Sequence, residues 1–396
     1  MVNVKEATSI IQTSIYRPVV QKVEIEKAVG RVLAESIVAD RDFPPFNRVA
    51  MDGIAILFAS WKEGKHSFFI EAIQAAGEPQ KKLNDKGNCI EVMTGAMLPE
   101  GTDTVIMYED LKIENGVAII LNIDISIQKN IHVRAQDVRS GEVLLNPGMI
   151  LSPAEIALLA SVGKNEVEVL SRPRVSIVSS GDELVAVKAT PAPHQIRRSN
   201  TYALQAAMLT LGCDSDTFHL PDQKESIVKA LREMILKYDV IILSGGVSKG
   251  KFDYIPDALK EIGIKKLFHH VNQRPGKPFW FGVSDEGKIV FALPGNPVST
   301  YMCFYRYIKP WLYKSLGIEV ETIQAELATD FSFEPNLTYF LQVEVNLEKG
   351  KLRAYPRQGG GSGDFANLKE VTGFLELPSD RSEFKSGEVF DYFSFR

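Results

Sequence analysis

The chain has 396 residues, 45% of them hydrophobic and 24% charged, with a formal net charge of −5. At about 150 residues per domain this length gives roughly two to four domains, and so mild a charge argues against electrostatically driven binding to nucleic acid or an acidic membrane surface. Three scattered cysteines (Cys89, Cys213, Cys303) form neither a disulfide framework nor a metal cluster, and no run of about 18 apolar residues occurs, so the expectation is a cytoplasmic protein with no nucleic-acid or membrane partner.

From the N-terminus, Val4, Ala7, Ile10 and Ile11 keep helical spacing, and VEIEKAVGRVLAESIVA mixes helical and strand signals to about residue 42. Pro44-Pro45 then holds the backbone extended, and Asp52-Gly53 predicts a tight turn before the strand-like IAILFA. A carboxylate on such a turn can be presented to a ligand, although a plain hairpin aspartate is commoner. Residues 43–137 read as a β-rich domain, with short apolar runs between Gly, Pro, Asn and Asp, the pattern of a small barrel or sandwich. Within it Thr94 places a hydroxyl on a loop, where a turn residue without a ligand is the ordinary role. Ser152-Pro153-Ala154-Glu155 predicts a helix start and Gly163 its end. Residues 1–42 and 138–172 are expected to form one discontinuous N-terminal and linker unit.

Residues 173–315 alternate strands with helices, which implies a largely parallel sheet with right-handed crossovers. RVSIVSSGDEL reads as a strand, SNTYALQAAMLTLGC as a helix capped by its Ser-Asn pair, and DSDTFHLPD as a short strand followed by Asp222. After the amphipathic ESIVKALREMILKY comes YDVIILSGGVSKGKFD. Its apolar run Val240 to Leu243 suits a buried strand; it breaks into Ser244-Gly245-Gly246, passes Ser248 and reaches the lone carboxylate Asp253. Three strand exits therefore end in glycine with polar neighbours: Ser180-Gly181-Asp182-Glu183, Ser244-Gly245-Gly246 and Pro294-Gly295-Asn296-Pro297. In the third, Asn296 is a good N-cap and Pro297 a good first helical residue, so free N–H groups are expected to face the strand ends. Arg274-Pro275-Gly276-Lys277-Pro278 holds two cations on a proline-bounded turn. Open α/β sheets bind ligands beyond the carboxyl ends of their strands. Glycines there let N–H groups approach an anion, and a carboxylate such as Asp253 can hold a divalent cation beside it. The convergence points to an anion-binding crevice. Residues 316–396 are β-rich again, and their QGGGSGDF segment is either a flexible hairpin tip or a turn that aims the donors of Ser362 at an oxyanion. The absence of GxxxxGK(S/T) and GxGxxG argues against the common nucleotide-binding folds.

Taken in order, PPFNRVAMDGIAI, MTGAMLPEGTDTVI, SSGDEL, SNTYAL, LSGGVSKGKFDY, RPGKPF, LPGNPVS and GGGSG resemble the motifs of the molybdopterin molybdenumtransferase (MoeA) family over essentially the whole chain. The resemblance implies an α/β plus β multi-domain fold: a three-layer α/β molybdopterin-binding domain, a β-rich insertion domain and a C-terminal β-barrel-like domain. It also implies an elongated homodimer in which the α/β domain of one subunit faces the Asp-Gly loop of the other. The implied chemistry is the last step of molybdenum cofactor assembly. Adenylylated molybdopterin is bound, molybdate is inserted and AMP is released with help from Mg²⁺.

Carried over position by position, Asp52 matches the acid of the MDGYA motif, Thr94 the threonine of TGA, Glu183 the glutamate of GDEL and Asp253 the aspartate after the SGG loop. Asp222 is a looser match, Lys277 matches the second lysine of KPGKP, and Ser362 the serine of the glycine-rich loop. Catalytic roles are thereby implied for Asp52, Glu183, Asp222, Asp253 and Lys277, with Asp253 and Glu183 as metal ligands. Substrate binding is implied for Thr94, Ser180, Gly181, Ser244, Gly245, Gly246, Ser248, Arg274, Pro278, Pro294, Gly295, Asn296, Pro297, Ser299 and Ser362. Releasing AMP builds charge on phosphate oxygens, which a cation at Asp253 offsets; backbone amides at Gly245, Gly246 and Gly295 suit the phosphate. Molybdate, a dianion, suits Arg274, Lys277 and the Ser362 loop.

The chain departs from the family pattern at Ile54, where tyrosine is usual, at Arg48-Val49, at Arg274 in place of a lysine, and at Lys249 and Lys251. Gln342 stands where an arginine is common, with Arg353 or Arg357 as candidates to replace its charge. These departures leave two alternatives open: a catalytically impaired pterin-binding scaffold, or a variant that inserts tungstate.

Overall fold

The computed structural model describes residues 1–121, 124–247, 253–334 and 336–396. The expectations for Ser248, Lys249 and Lys251 lie outside the described residues.

Six strands form the central sheet, in the order Ser215–Leu220, Val175–Ser180, Val240–Ser244, Ile289–Leu293, Pro278–Val283 and Lys265–His270. The first four are parallel; the last two run antiparallel to their neighbours. Parallel neighbours need a long crossover, and helices Asn200–Thr210 and Lys224–Lys237 supply two of them. Only residues 284–288 separate Pro278–Val283 from Ile289–Leu293, which leaves room for a hairpin and not for a helix. The central strands are apolar on both faces, as fully covered parallel strands are. Val175, Ile177, Val240 and Ile242 pack with Leu204, Ala207 and Met208 on one side. Val178, Ile241 and Leu243 pack with Ile227, Leu231 and Leu259 on the other. The result is three layers, helix on sheet on helix. From Val175–Ser180 the chain crosses first to the strand on one side and then to Val240–Ser244 on the other. Loops that leave in opposite directions open a crevice between them, at the carboxyl ends of these two strands.

The C-terminal region closes on itself. Gln324–Leu327 pairs with Lys351–Pro356 and with Val389–Ser394; the latter pairs with Gly373–Leu377, which pairs with Thr338–Glu348, which returns to Lys351–Pro356. That ring is a five-strand barrel filled by Leu327, Leu341, Val343, Leu375 and Phe384. It is joined to the α/β layers by Arg306, whose Nε donates to Glu376 at 2.6 Å while its guanidinium lies over Phe393, and by the parallel pairing of Gln273–Arg274 with Thr338 and Tyr339.

Toward the N-terminus, Val20–Glu24 pairs with Glu166–Leu170, and Leu33 and Ile37 share a core with Leu145, Leu159 and Val167. Helix Pro153–Ser161 begins as its sequence requires: the Ser152 N–H donates to Glu155 at 2.7 Å and the Ala154 N–H to Ser152 Oγ at 3.1 Å. The first helix, Val4–Thr13, packs elsewhere, sending Val4, Ala7 and Ile11 into the α/β core. The intervening β-rich part is one six-stranded sheet, Thr104–Met107, Gly53–Ile56, Cys89–Val92, Ser67–Gln74, Val117–Ile120 and Leu111–Glu114, with no closing pairing among the described residues. It is neither the barrel nor the sandwich that the alternation suggested, because Ile54, Ala55 and Ile56 are all buried and each face carries its own apolar cluster.

Candidate active site

A cleft of about 1130 Å³ opens at the carboxyl ends of the parallel strands. Ser180, Gly181, Glu183, Asp222, Ser244, Gly245, Gly246, Asp253, Pro278, Pro294, Gly295, Asn296 and Pro297 all line it, so the three glycine-bearing exits meet in one place. Both glycines hold a positive φ, +98° at Gly245 and +141° at Gly181, that favours glycine. A Cβ on Gly245 would lie 2.9 Å from the Ser180 carbonyl oxygen, and one on Gly181 only 2.5 Å from a Glu183 carboxylate oxygen. Glu183 therefore folds back over its own strand exit. The Ser180 hydroxyl donates to Asp222 at 2.6 Å, which ties the first exit to the loop after the outer strand.

Asn200 holds the other two exits together. Its side-chain amide donates to Ser244 Oγ and to the Gly295 carbonyl, both at 2.8 Å, and approaches Thr300 Oγ1 at 3.3 Å. The Thr300 hydroxyl donates in turn to the Pro294 carbonyl at 2.6 Å. The Ser-Asn pair was expected to cap helix Asn200–Thr210, but Ser199 makes no side-chain cap, and Asn200 spans the cleft floor instead. Its role depends on acceptors 44 and 95 residues away. The cleft also takes in Thr201 of the SNTYAL motif, and Gln195, Arg197 and Arg198 from the segment before it, which the motifs did not single out.

Several expectations need correction. Asn296 does stand at the N-cap position of helix Pro297–Cys303, but its side chain does not cap it. The Asn296 amide donates to Ser362 Oγ at 2.8 Å, and the Val298 N–H, expected to be free, donates to the Ser362 carbonyl at 3.1 Å. The glycine-rich C-terminal loop is thus docked on the cleft, with Gly363 and Phe365 in its wall. The Gly245 N–H, expected to meet a phosphate, donates to the Leu293 carbonyl at 3.1 Å. Ser299 is buried behind the wall. Arg274 and Lys277 are exposed and do not line the cleft; the Arg274 guanidinium lies 5.7 Å from the Phe333 ring centroid. Neither arginine offered in place of the charge missing at Gln342 is available. Arg353 pairs with Glu326 at 2.9 Å and Arg357 with Glu344 at 2.5 Å, while Gln342 accepts from Asn367 at 3.3 Å.

Asp52 and Thr94 come together, but away from this cleft. Both the Thr94 N–H and its hydroxyl donate to Asp52 Oδ1, at 2.6 and 2.7 Å, and these bonds, the backbone one foremost, hold the Asp52 carboxyl below the usual range. The turn is fixed by Gly53, where a Cβ would sit 1.9 Å from the Ile106 carbonyl oxygen. Both side chains are exposed and neither is in the cleft wall. As for metals, no group of three or more His, Cys, Asp or Glu is placed to hold an ion among the described residues. The cleft offers separate carboxylates, which suits an ion that takes one or two of them and completes its shell with water and ligand phosphates, as Mg²⁺ does.

Three family models match the chain in sequence order: the MoeA N-terminal region (domain I and II) at residues 2–163, a probable molybdopterin binding domain at 176–314, and the MoeA C-terminal region (domain IV) at 324–395. A Synechocystis sp. protein named molybdopterin molybdenumtransferase is 40% identical over 100% of both chains. A Staphylococcus epidermidis protein of the same name is 30% identical over 98% of this chain and 94% of its own. The crystal structure of the molybdopterin biosynthesis MoeA protein from Pyrococcus horikoshii matches over 100% of both chains, with a TM-score of 0.81 at 28% identity.

Proposed function

The chain belongs to the MoeA family of molybdopterin molybdenumtransferases, enzymes of molybdenum cofactor biosynthesis, and we propose that its cleft binds adenylylated molybdopterin, takes up molybdate and releases AMP. The observation that carries this reading is that Glu183, Asp222 and Asp253 line one cleft with all three glycine-bearing strand exits. A diphosphate-linked substrate needs anion-tolerant backbone on one side and carboxylates for a cation on the other. Gly246 and Gly295 supply the first and Asp253 with Glu183 the second. Mg²⁺ held there would neutralise charge that builds on the phosphate oxygens as AMP leaves. Asn200 fixes the loops against each other before the ligand arrives, and such pre-organisation limits the ordering cost of binding. The docked Ser362 loop is the proposed oxyanion end, where molybdate meets hydroxyl and backbone donors. Gln342, a neutral donor in place of a cation, leaves that end weaker in charge and is the support for the scaffold reading.

The exposed Asp52–Thr94 pair fits a second part of the reading: in a homodimer, the pair of one protomer completes the cleft of the other. A reducing, cytoplasmic setting belongs with it too. All three cysteines are buried and free, and burial pushes the Cys89 and Cys213 thiols up to about 12 and about 11, which leaves them unreactive. No helix among the described residues is long and apolar enough to cross a membrane.

The test is AMP release from adenylylated molybdopterin with Mg²⁺, with and without molybdate, for wild type and Asp253→Asn. Molybdate-stimulated release that collapses in the variant is the expected result. Tight binding with no release under any condition sinks the transferase reading and leaves a scaffold; stimulation by tungstate alone changes the metal and keeps the chemistry.

A further inference from the structure

Arg198 lines the cleft, and no role described so far uses it. Its backbone is fixed, the N–H donating to the Val185 carbonyl at 3.0 Å, at the end of the short parallel pair Leu184–Val185 and Ile196–Arg197. Its Nε is sealed from solvent and meets no acceptor. Among the described residues no carboxylate lies within ion-pair reach of it. Its neighbour Arg197 is already engaged, with Nε donating to the Ala189 carbonyl at 3.0 Å.

The charge of Arg198 is nevertheless felt nearby. Burial first, and Arg198 second, hold the His219 imidazole below its ordinary pKa, while Asp222 and Asp182 act on the same ring in the opposite sense. His219 Nδ1 lies 3.1 Å from Ser179 Oγ. Arg198, Asp182, Asp222, His219 and Ser179 therefore share one corner, at the exit of the outer strand Ser215–Leu220.

A partly buried guanidinium whose Nε meets no acceptor, and which forms no direct ion pair with the Asp182 or Asp222 of its corner among the described residues, gains from a bound anion that accepts from it. Its planar fork of donors matches two oxygens of one phosphate. We infer that Arg198 is a receptor for a phosphate group of the cleft's ligand, at the edge of the cleft opposite Ser362. The strand order sets the spacing. Ser362 bonds to Asn296, just beyond Ile289–Leu293, whereas the Arg198 corner lies at Ser215–Leu220, three strands across. At about 4.8 Å per strand that is roughly 14 Å, enough for a ligand with a phosphate toward one end and a metal oxyanion at the other. Identifying that ligand as adenylylated molybdopterin rests on the proposed function; the phosphate receptor itself does not.

Pyrophosphate probes the Arg198 end, and molybdate, proposed to bind at the Ser362 end, serves as the contrast. Calorimetric titration of the full chain with inorganic pyrophosphate, molybdate and adenylylated molybdopterin compares wild type, Arg198→Gln, Arg198→Lys and, as a control on the outer helix pair, Arg232→Gln. Loss of a charged bidentate contact weakens pyrophosphate and the adenylylated pterin by about tenfold to a hundredfold in Arg198→Gln. Arg198→Lys, which keeps the charge and loses the fork, recovers part of this and carries the test should the glutamine variant not fold. Molybdate binding and the Arg232→Gln variant are unchanged. The inference is overturned if wild type does not bind pyrophosphate, if a folded Arg198→Gln binds it as tightly, or if the loss is confined to molybdate. Pyrophosphate bound through Arg198 by a wild type that ignores the adenylylated pterin supports the receptor and removes the proposed function. Equal affinity of wild type and Arg198→Gln for the adenylylated pterin removes the receptor alone.

Discussion

The cleft of the α/β layers and the Asp52 turn both present carboxylates, and they are built in opposite ways. In the cleft the polar groups are bound to one another across the sheet: Ser180 to Asp222, Asn200 to Ser244 and Gly295, Asn296 to Ser362. Each tie joins segments at least 40 residues apart, so the geometry is as rigid as the strands beneath it. Asp52 takes both of its side-chain bonds from a single residue, Thr94, and faces solvent. It is oriented and exposed. A pre-organised site can bind by itself, whereas an oriented, exposed carboxylate acquires a role only from what docks against it.

The sharpest way to break this contrast is a mixing experiment. Asp253→Asn alone is expected to lower AMP release by about a hundredfold or more, as removal of a charge-stabilising group does, and Asp52→Asn alone to lower it strongly. If the pair from one protomer completes the partner's cleft, each single variant damages both sites of its own homodimer. Half of a randomly mixed population is heterodimer with one intact site, so about a quarter of wild-type activity returns on mixing. No recovery after verified subunit exchange means that both residues serve within one chain. A smaller effect is expected from Asn200→Ala. Removing a half-buried amide that ties two strand exits together costs about 1–2 kcal/mol in denaturant unfolding, with Ser244 left to its longer contact with Thr300 at 3.4 Å. Substrate affinity falls with it, because the loops are no longer held in place. Unchanged stability in that variant means the exits are held by the sheet alone.

The smallest effect separates the two regions most cleanly. Thr94→Val removes the hydroxyl bond to Asp52 but keeps the backbone N–H bond, which is the larger cause of the lowered pKa. The Asp52 pKa is expected to rise part of the way to its ordinary value and to remain below it, as read by NMR titration. The sign follows from the direction of the shift. A carboxylate with a depressed folded pKa contributes stability above its unfolded value, near 4, and loses it as pH falls through the folded value. Thr94→Val therefore lowers the stability that the turn contributes at pH values above about 4, neutral pH included, and leaves the acid-state stability and the cleft untouched.

Much of this was legible in the sequence. The run Val240 to Leu243 with its glycines, the Ser180 exit and the Pro294 exit each carry a local signal, apolar strand then glycine, that needs no partner to be read. The Ser152 capping box is legible for the same reason. What escaped was set at long range. Asn200 reads as a helix cap until the strand exits 44 and 95 residues away are brought to it. Asn296 makes a convincing N-cap on paper, yet Ser362 draws its amide away. Arg353 and Arg357 could stand in for a missing cation only while Glu326 and Glu344 were not known to be beside them. Arg274 and Lys277 kept a motif spacing but point outward, because Gln273–Arg274 is recruited as a short strand beside the C-terminal barrel.

The docking of Ser362 on Asn296 has a consequence for the order in which the molecule becomes competent. A ribosome delivers residue 296 well before residue 362, so the emerging α/β layers can fold while the loop that finishes their pocket has yet to appear. Until the last strands fold, the Val298 N–H lacks its Ser362 partner and the wall that Gly363 and Phe365 provide is missing. A truncated or stalled chain lacks the finished pocket wall.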